Sequence, residues 1–391
     1  MTAGSDVLVI GGGLQGLSSA LHLARRGCSV RVLEADYCGR HASGVNAGGV
    51  RTLDRDLAEV PLSLAAREWW HRMPELVDEE VGFVASGQLK LAETPDELVL
   101  LRKRVQTLQA MGFQHEQLIG PAEVRELVPA LTPRIAGAIW TAGDGYAYPF
   151  GVVTAFRRAG QRRGVQVHEA TPVQRIERHG GRWLAHTPAG TYVAQYLVNA
   201  AGAWAGEIAR QAGEPVPLSA SGLMLMVTTR LPPFVKPVLG ACGRALSFKQ
   251  FANGTVVIGG ALRCAADPVA RHAEVDTLKL AISAQTVTEL FPHLGPVIVN
   301  RTWAGVEGFM PDQIPVIGPS RNQSGLVHAF GFSAHGFQMS PIVGQIVADL
   351  VLEGRTSLPI APFAIDRFGK AADKLAASAM SSLSPPEPFH H

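Results

Sequence analysis

Residues 6–34, DVLVIGGGLQGLSSALHLARRGCSVRVLE, open on an unbroken apolar run, pass through three glycines, and continue with apolar positions at helical spacing before a second apolar run. That order predicts a buried strand, a glycine turn, a helix of about a dozen residues and a second strand. No basic segment precedes the first run, which reads as a strand and not as a secretory signal. Helical spacing recurs over 56–80, with Trp69 and Trp70 on or near its apolar side, over 93–113, and over 121–128, where Pro121 and Glu123 suit a helix start. Alternation returns over 164–200, and His179-Gly180-Gly181-Arg182 reads as the hairpin turn of a small meander. Tyr146 and Tyr148 precede it, where a strand is expected to lead the chain back. From 216 to 300 strands dominate, with Asn253-Gly254 as a hairpin signal and a helix near 275–291. The segment 325–354 repeats the order strand, glycine turn, helix, and the Ala/Ser/Pro-rich stretch beyond about 370 predicts a terminal helix with a frayed tail.

Composition narrows the function classes. The 391 residues fit two or three domains at ~100–200 residues each. With 47% hydrophobic and 17% charged residues the chain is no disordered scaffold. Its 35 basic and 33 acidic residues nearly cancel and form no basic stripe, so a nucleic-acid partner is not expected. Cysteines stand at 28, 38, 242 and 264 without a CxxC, which gives neither a disulfide framework nor a zinc or iron–sulfur set. No metal site is expected, and a reducing cytoplasm is the simplest compartment. No run of 18 apolar residues suggests a transmembrane helix. The 42 glycines are the unusual count, and they cluster at 11–16, 44–49, 200–206 and 331–344.

The first cluster reads Gly11-x-Gly13-x-x-Gly16 between a strand and a helix, with Glu34 ending the next strand. Gly11 makes the tight turn, Gly13 admits a pyrophosphate to the backbone, and Gly16 lets helix and strand pack closely. The helix N-terminus, including Leu14 and Gln15, faces the phosphates. Glu34, with Ala35 beside it, suits an adenosine ribose without a 2′-phosphate. A lone GxGxxG also occurs as a structural turn; the strand–helix–strand–acid context favours a dinucleotide site.

That fingerprint, LVNAAGAW at 197–204 and GFSAHGFQMSPIVGQIVADL at 331–350 together resemble the D-amino-acid oxidase superfamily of FAD enzymes. ASGVNAGGV at 42–50 and RTWAGVEGFMPDQIPVIGP at 301–319 look most like its branch of glycine oxidase, sarcosine oxidase β-subunits, D-hydroxyproline dehydrogenase and the opine-oxidase and cyanide-synthase subunits. The resemblance implies an α/β fold: a Rossmann-like FAD-binding domain from 1–82, 148–215 and 319–375, a β-rich α+β substrate domain inserted in two pieces, 83–147 and 216–318, and a C-terminal tail, 376–391.

It also implies a set of cofactor contacts. Ala42, Ser43, Asn46, Ala47, Gly48 and Gly49 would cross the pyrophosphate and flavin, and Val173 would meet the adenine. Ala200, Ala201, Gly202 and Trp204 would lie along the nucleotide. Gly331, Phe332, His335, Gly336 and Phe337 would sit beneath the flavin edge, where helix-start N–H groups favour negative charge. His335 equally suits a hydrogen-bonded turn. Gln338 stands where monomeric sarcosine oxidases carry a lysine toward the substrate, and Gly305 where they carry the flavin-linking cysteine, so FAD is expected to be noncovalent. Glu307 occupies the position of a substrate-clasping arginine, leaving Arg51 as the leading partner for a substrate carboxylate and Arg244 and Lys249 as weaker ones. Tyr146 and Tyr148 suit either pocket lining or packing.

These residues imply oxidation of a small amino, imino or N-substituted amino acid, proline-type, glycine/sarcosine-type or opine. Hydride would pass from the carbon beside nitrogen to flavin N5, giving an imine that hydrolyses, with Glu307, Arg51 and His335 as the catalytic candidates. Electrons would pass to oxygen or to a partner subunit, and an iron–sulfur or other electron-transfer centre would need a separate chain. The alternatives are a noncatalytic FAD-holding subunit of a complex and an NAD(P)H-dependent flavin reductase.

Overall fold

The structure is a computed structural model and describes residues 4–369. The terminal helix and tail expected beyond about 370 lie outside the described residues. Strand Ser5–Ile10 buries Val7, Leu8 and Val9 completely, as a strand with parallel neighbours on both sides and helices above and below requires. Val30–Leu33 and Gly190–Asn199 flank it in parallel register. Leu326–Phe330 and then Val316–Pro319 extend the sheet on one side, and Gln166–His168 on the other. Arg175–His179 and Arg182–Thr187 add an antiparallel hairpin, with Gly180 and Gly181 both at positive φ in its turn.

Helices Leu14–Arg25 and Gly336–Glu353 lie side by side on this sheet. The second is buried nearly all round, as an apolar helix at the centre of a domain must be. Gly344 sets their spacing: a Cβ there would lie 2.1 Å from Ser18 Oγ and 2.6 Å from the Ser18 carbonyl carbon.

The second sheet has eight strands in the order Val299–Phe309, Ser219–Thr228, Val256–Cys264, Phe248–Gln250, Val238–Ala241, Gln88–Ala92, Gly137–Thr141 and Gln117–Ile119. Its strands come from two stretches of chain, joined where Val238–Ala241 runs parallel to Gln88–Ala92. The Asn253-Gly254 turn connects the antiparallel pair Phe248–Gln250 and Val256–Cys264, with Gly254 at φ +86. A short ribbon, Gly49–Val50 with Gly145–Tyr146, and the Phe309–Phe332 bridge tie the two units together.

Three local expectations change, each at a proline or a strand end. The helix expected over 56–80 is two helices, Val60–His71 and Met73–Val77. Pro74 has no N–H to continue the ladder and restarts the helix, while Pro61 fixes the first turn of its predecessor. Tyr146 and Tyr148 lead into helix Pro149–Arg162 and not into a strand, because Pro149 opens a helix readily. The chain re-enters the first sheet at Val316, ahead of the boundary at 319.

The close helix approach makes a direct test. Gly344→Ala is expected to lower stability by about 1–3 kcal/mol, because the added methyl meets the Ser18 backbone as well as its hydroxyl, and the backbone cannot swing aside. An unchanged denaturant midpoint would contradict that packing.

Candidate cofactor and substrate site

Gly11 ends the first strand at φ +107, and a Cβ there would stand 2.3 Å from the Ala200 carbonyl oxygen. Gly16 passes so close to Gly11 that a Cβ would fall 2.0 Å from its carbonyl oxygen. Helix Leu14–Arg25 is capped by Gly13, with no side-chain cap bond and no acid in its first turn, so its N-terminus keeps its positive character. Ser43 Oγ accepts from Leu14 N–H at 2.9 Å. Glu34 accepts from the N–H groups of Gly12 at 2.6 Å and Asp36 at 2.8 Å, while burial outweighs these bonds and raises its carboxyl.

The loop over 42–49 is tied largely to itself. Asn46 donates to the carbonyls of Ala42 and Ser43 and accepts from Gly48 N–H, so its amide braces the loop. A second glycine-lined turn opens helix Gly336–Glu353, where Gly331, Ser333 and Ala334 all have positive φ. Ser333 and Ala334 lack the freedom of glycine there, a form of strain that concentrates at functional sites. Gln15 Nε2 donates to the Gly336 carbonyl at 2.7 Å, which locks the two helix starts together.

A cavity of about 560 Å³ runs along both helix starts. Gly11, Gly13, Gln15, Glu34, Ala35 and Val173 line one end. Ala42, Ser43, Asn46, Ala47 and Gly49 line its middle with Ala200, Ala201, Gly202 and Trp204. Gly305, Gly331, Phe332, Gly336 and Phe337 continue the wall toward Arg51 and Glu307. The cradle suits an extended dinucleotide: it presents a helix N-terminus without an acid, and side chains at Gly11 or Gly13 would collide with Ala200 or Ser43.

Five expected contact residues lie behind this wall and support it: Leu14, Gly16, Gly48, His335 and Gln338 do not line the cavity. A Cβ on Gly48 would meet the Ala147 carbonyl oxygen at 2.2 Å, so that glycine serves chain-to-chain packing. Gln338 is fully buried; it donates to the Ser63 carbonyl and its own carbonyl accepts from Trp70. His335 Nδ1 lies 2.8 Å from buried Glu59, and burial with nearby Arg55 pulls the imidazole down to about 4. At neutral pH His335 is therefore neutral beside an ionised Glu59, whose carboxyl the His335 hydrogen bond and nearby positive charges keep low against burial.

Glu307 faces the cavity and accepts from Ala334 N–H at 2.7 Å. Burial pushes its carboxyl up to about 7, opposed by that N–H and by Arg263. Arg51 lines the same cavity and donates only to the Leu53 carbonyl, at 3.3 Å. Arg244 also reaches the cavity, but Glu93 and Glu289 engage its guanidinium. Lys249 is 1% exposed and donates to the Ala47 carbonyl at 2.5 Å, behind the loop. Burial, helped by the Arg51 charge, lowers its ammonium to about 7. Tyr146 and Tyr148 pack on Phe251.

Several lining residues escaped the sequence reading. His41 and Arg271 both reach Asp36 Oδ2 at 3.1 Å, and the His41 ring lies 4.7 Å from that of Trp204. Arg271 comes from the second unit, so only the folded chain brings this cluster together. Arg55 lines the cavity too, four residues after Arg51 and without a motif of its own.

The profile of a family described as FAD dependent oxidoreductase, DAO, matches residues 6–350. The chain belongs to that family. Its cofactor is FAD. Among curated relatives, glycine oxidase of Geobacillus kaustophilus is 28% identical over 383 residues, 94% of this chain and 98% of the relative. One of the opine oxidase subunits of Rhizobium meliloti is 26% identical, over 93% of this chain and 97% of its own length. The chain spans about half the length of several other curated relatives. The solved L-proline dehydrogenase of P. horikoshii superposes with a TM-score of 0.88 at 27% identity, over 95% of this chain and 99% of that one. No described helix is long and apolar enough to cross a membrane.

Gly11→Ala places a methyl against the Ala200 carbonyl in a backbone conformation that disfavours it. The purified variant is expected to lose most of its flavin, read as visible absorbance per protein, with native far-UV circular dichroism. Full flavin content would contradict the cradle.

Proposed function

We propose that this chain oxidises the C–N bond of a small amino, imino or N-substituted amino acid. The observation that carries the reading is that Arg51 and Glu307 both line the cavity that the two glycine-lined turns border. When bound, FAD supplies the two-electron acceptor. Arg51 receives the substrate carboxylate by charge-assisted hydrogen bonds, since its guanidinium is engaged only with one carbonyl. Glu307 faces the amine and takes up its proton, a role that its carboxyl near 7 suits at neutral pH. Phe332 and Phe337 exclude water from the wall, and N–H groups at the start of helix Gly336–Glu353 favour negative charge there. His335 acts through Glu59, outside the cavity, as a positioning residue.

Gly305, which has no nucleophile where monomeric sarcosine oxidases carry the flavin-linking cysteine, supports FAD held without a covalent link. The four unpaired cysteines support a reducing, cytoplasmic setting. The likeness to a protein named as one part of an opine oxidase supports a catalytic subunit that passes electrons to a separate protein. Turnover with an artificial acceptor far above that with oxygen is the expected sign; equal rates would remove that part.

Anaerobic screening of D- and L-amino acids, proline derivatives, sarcosine, glycine and opines is expected to bleach the bound flavin with at least one class. Bleaching by none would overturn the reading. The rise of kcat/KM with pH is expected to contain a group near 7 as Glu307 ionises and becomes able to accept a proton. Glu307→Gln removes that inflection and leaves the substrate amine to set the profile. An unchanged profile would refute the assignment.

A further inference from the structure

Three separate segments meet beside Glu34. The first is 36–41, whose Asp36 N–H donates to the Glu34 carboxylate at 2.8 Å. The second is the short turn Gly202–Trp204 after strand Gly190–Asn199. The third belongs to the second unit: a tight hairpin, Ala266–Asp267 paired with His272–Ala273, that follows strand Val256–Cys264. Asp267 braces the hairpin tip by accepting from Val269 N–H at 2.8 Å and Ala270 N–H at 2.9 Å, and Arg271 leaves it at φ +52.

The hairpin is fastened to the first unit at two points. Trp204 donates its indole N–H to the Pro268 carbonyl at 2.8 Å. Arg271 Nη1 donates to Asp36 Oδ2 at 3.1 Å, the oxygen that His41 also reaches, and Arg40 stands 3.8 Å from it. The His41 ring lies 4.7 Å from that of Trp204, and the Arg271 guanidinium 5.9 Å from it. Asp36, Arg40, His41, Trp204 and Arg271 all line the cavity. The side chains of Arg271 and Asp36 are also 30% and 25% exposed, so this pair is a thin wall with the cavity on one side and solvent on the other. Such a wall opens readily: an exposed ion pair shifts an equilibrium by about fivefold at most, and Val269 at the tip is 94% exposed and buries little.

We propose that hairpin 266–273 is a strap over the Glu34 end of the FAD cavity, which swings off Asp36 and Trp204 whenever FAD enters or leaves. Both fastenings join protein group to protein group, so they are equally strong whether or not FAD lies beneath them. Loosening the strap therefore quickens entry and release alike and leaves the affinity unchanged. An Arg271 that held the cofactor itself would act differently, with release quickening and affinity falling in step. The inference goes beyond the amine-oxidation reading and rests only on FAD lying along this cavity.

The test uses the FAD-loaded protein. Release is followed as the rise in flavin fluorescence after dilution, and serial dilution to equilibrium gives the dissociation constant. Arg271→Ala is expected to speed release about three- to fivefold, with the dissociation constant within about twofold of the wild type. Asp36→Asn cuts the same ion pair from the other side, frees His41 as well, and tests the strap if Arg271→Ala does not fold. The double variant is expected to release FAD no faster than Asp36→Asn, because both changes remove one contact.

Unchanged release in both single variants, or release and dissociation constant rising in proportion, would overturn the strap. Full flavin content in Gly11→Ala would contradict the cradle and the strap together, whereas flavin loss there with unchanged release in Arg271→Ala would contradict the strap alone.

Discussion

Contact between two helix starts governs this protein. Helices Leu14–Arg25 and Gly336–Glu353 come from opposite ends of the chain, yet Gly344 presses against Ser18 and Gln15 reaches the Gly336 carbonyl. That contact points two helix N-termini along one cavity, where fixed N–H dipoles favour negative charge. The first is bare of acids, and the second begins in a strained turn whose Ala334 N–H is held by Glu307. Loosening the helix pair would therefore disturb both ends of the cofactor cradle at once.

Charge around the far end follows from burial. Glu307 is pushed toward neutrality, Lys249 loses much of its basicity, and His335 stays neutral beside ionised Glu59. Most cations near the cavity are paired: Lys90 with Asp54, Arg104 with Glu116, and Arg244 with Glu93. Arg51 lines the cavity with its guanidinium held only by the Leu53 carbonyl.

The parts of the site that were legible in the sequence are those built by local backbone rules. Gly11, Gly13 and Gly16 have a fixed spacing because a turn and a phosphate-facing helix start leave no room for side chains. The strand–turn–helix order at 326–353 follows from the same rule. Less legible were residues whose roles depend on partners far away in the chain. Gln338 matches a substrate-facing position, but Ser63 and Trp70 hold it in the core. His335 turns to Glu59, and Arg271 arrives from another unit to meet Asp36. Arg55 gave no signal because only the folded chain sets it, buried, behind Arg51 and near Glu59, Asp144 and Asp54.

The proposed oxidation requires the amine substrate and FAD to meet in this one cavity, with the carbon bearing nitrogen as the site of oxidation. A single anaerobic turnover with a substrate deuterated at the carbon bearing nitrogen tests it most directly. Slower flavin bleaching than with the protium substrate is expected, with one amine-derived carbonyl product for each flavin bleached. Bleaching with no isotope effect and no such product would contradict it.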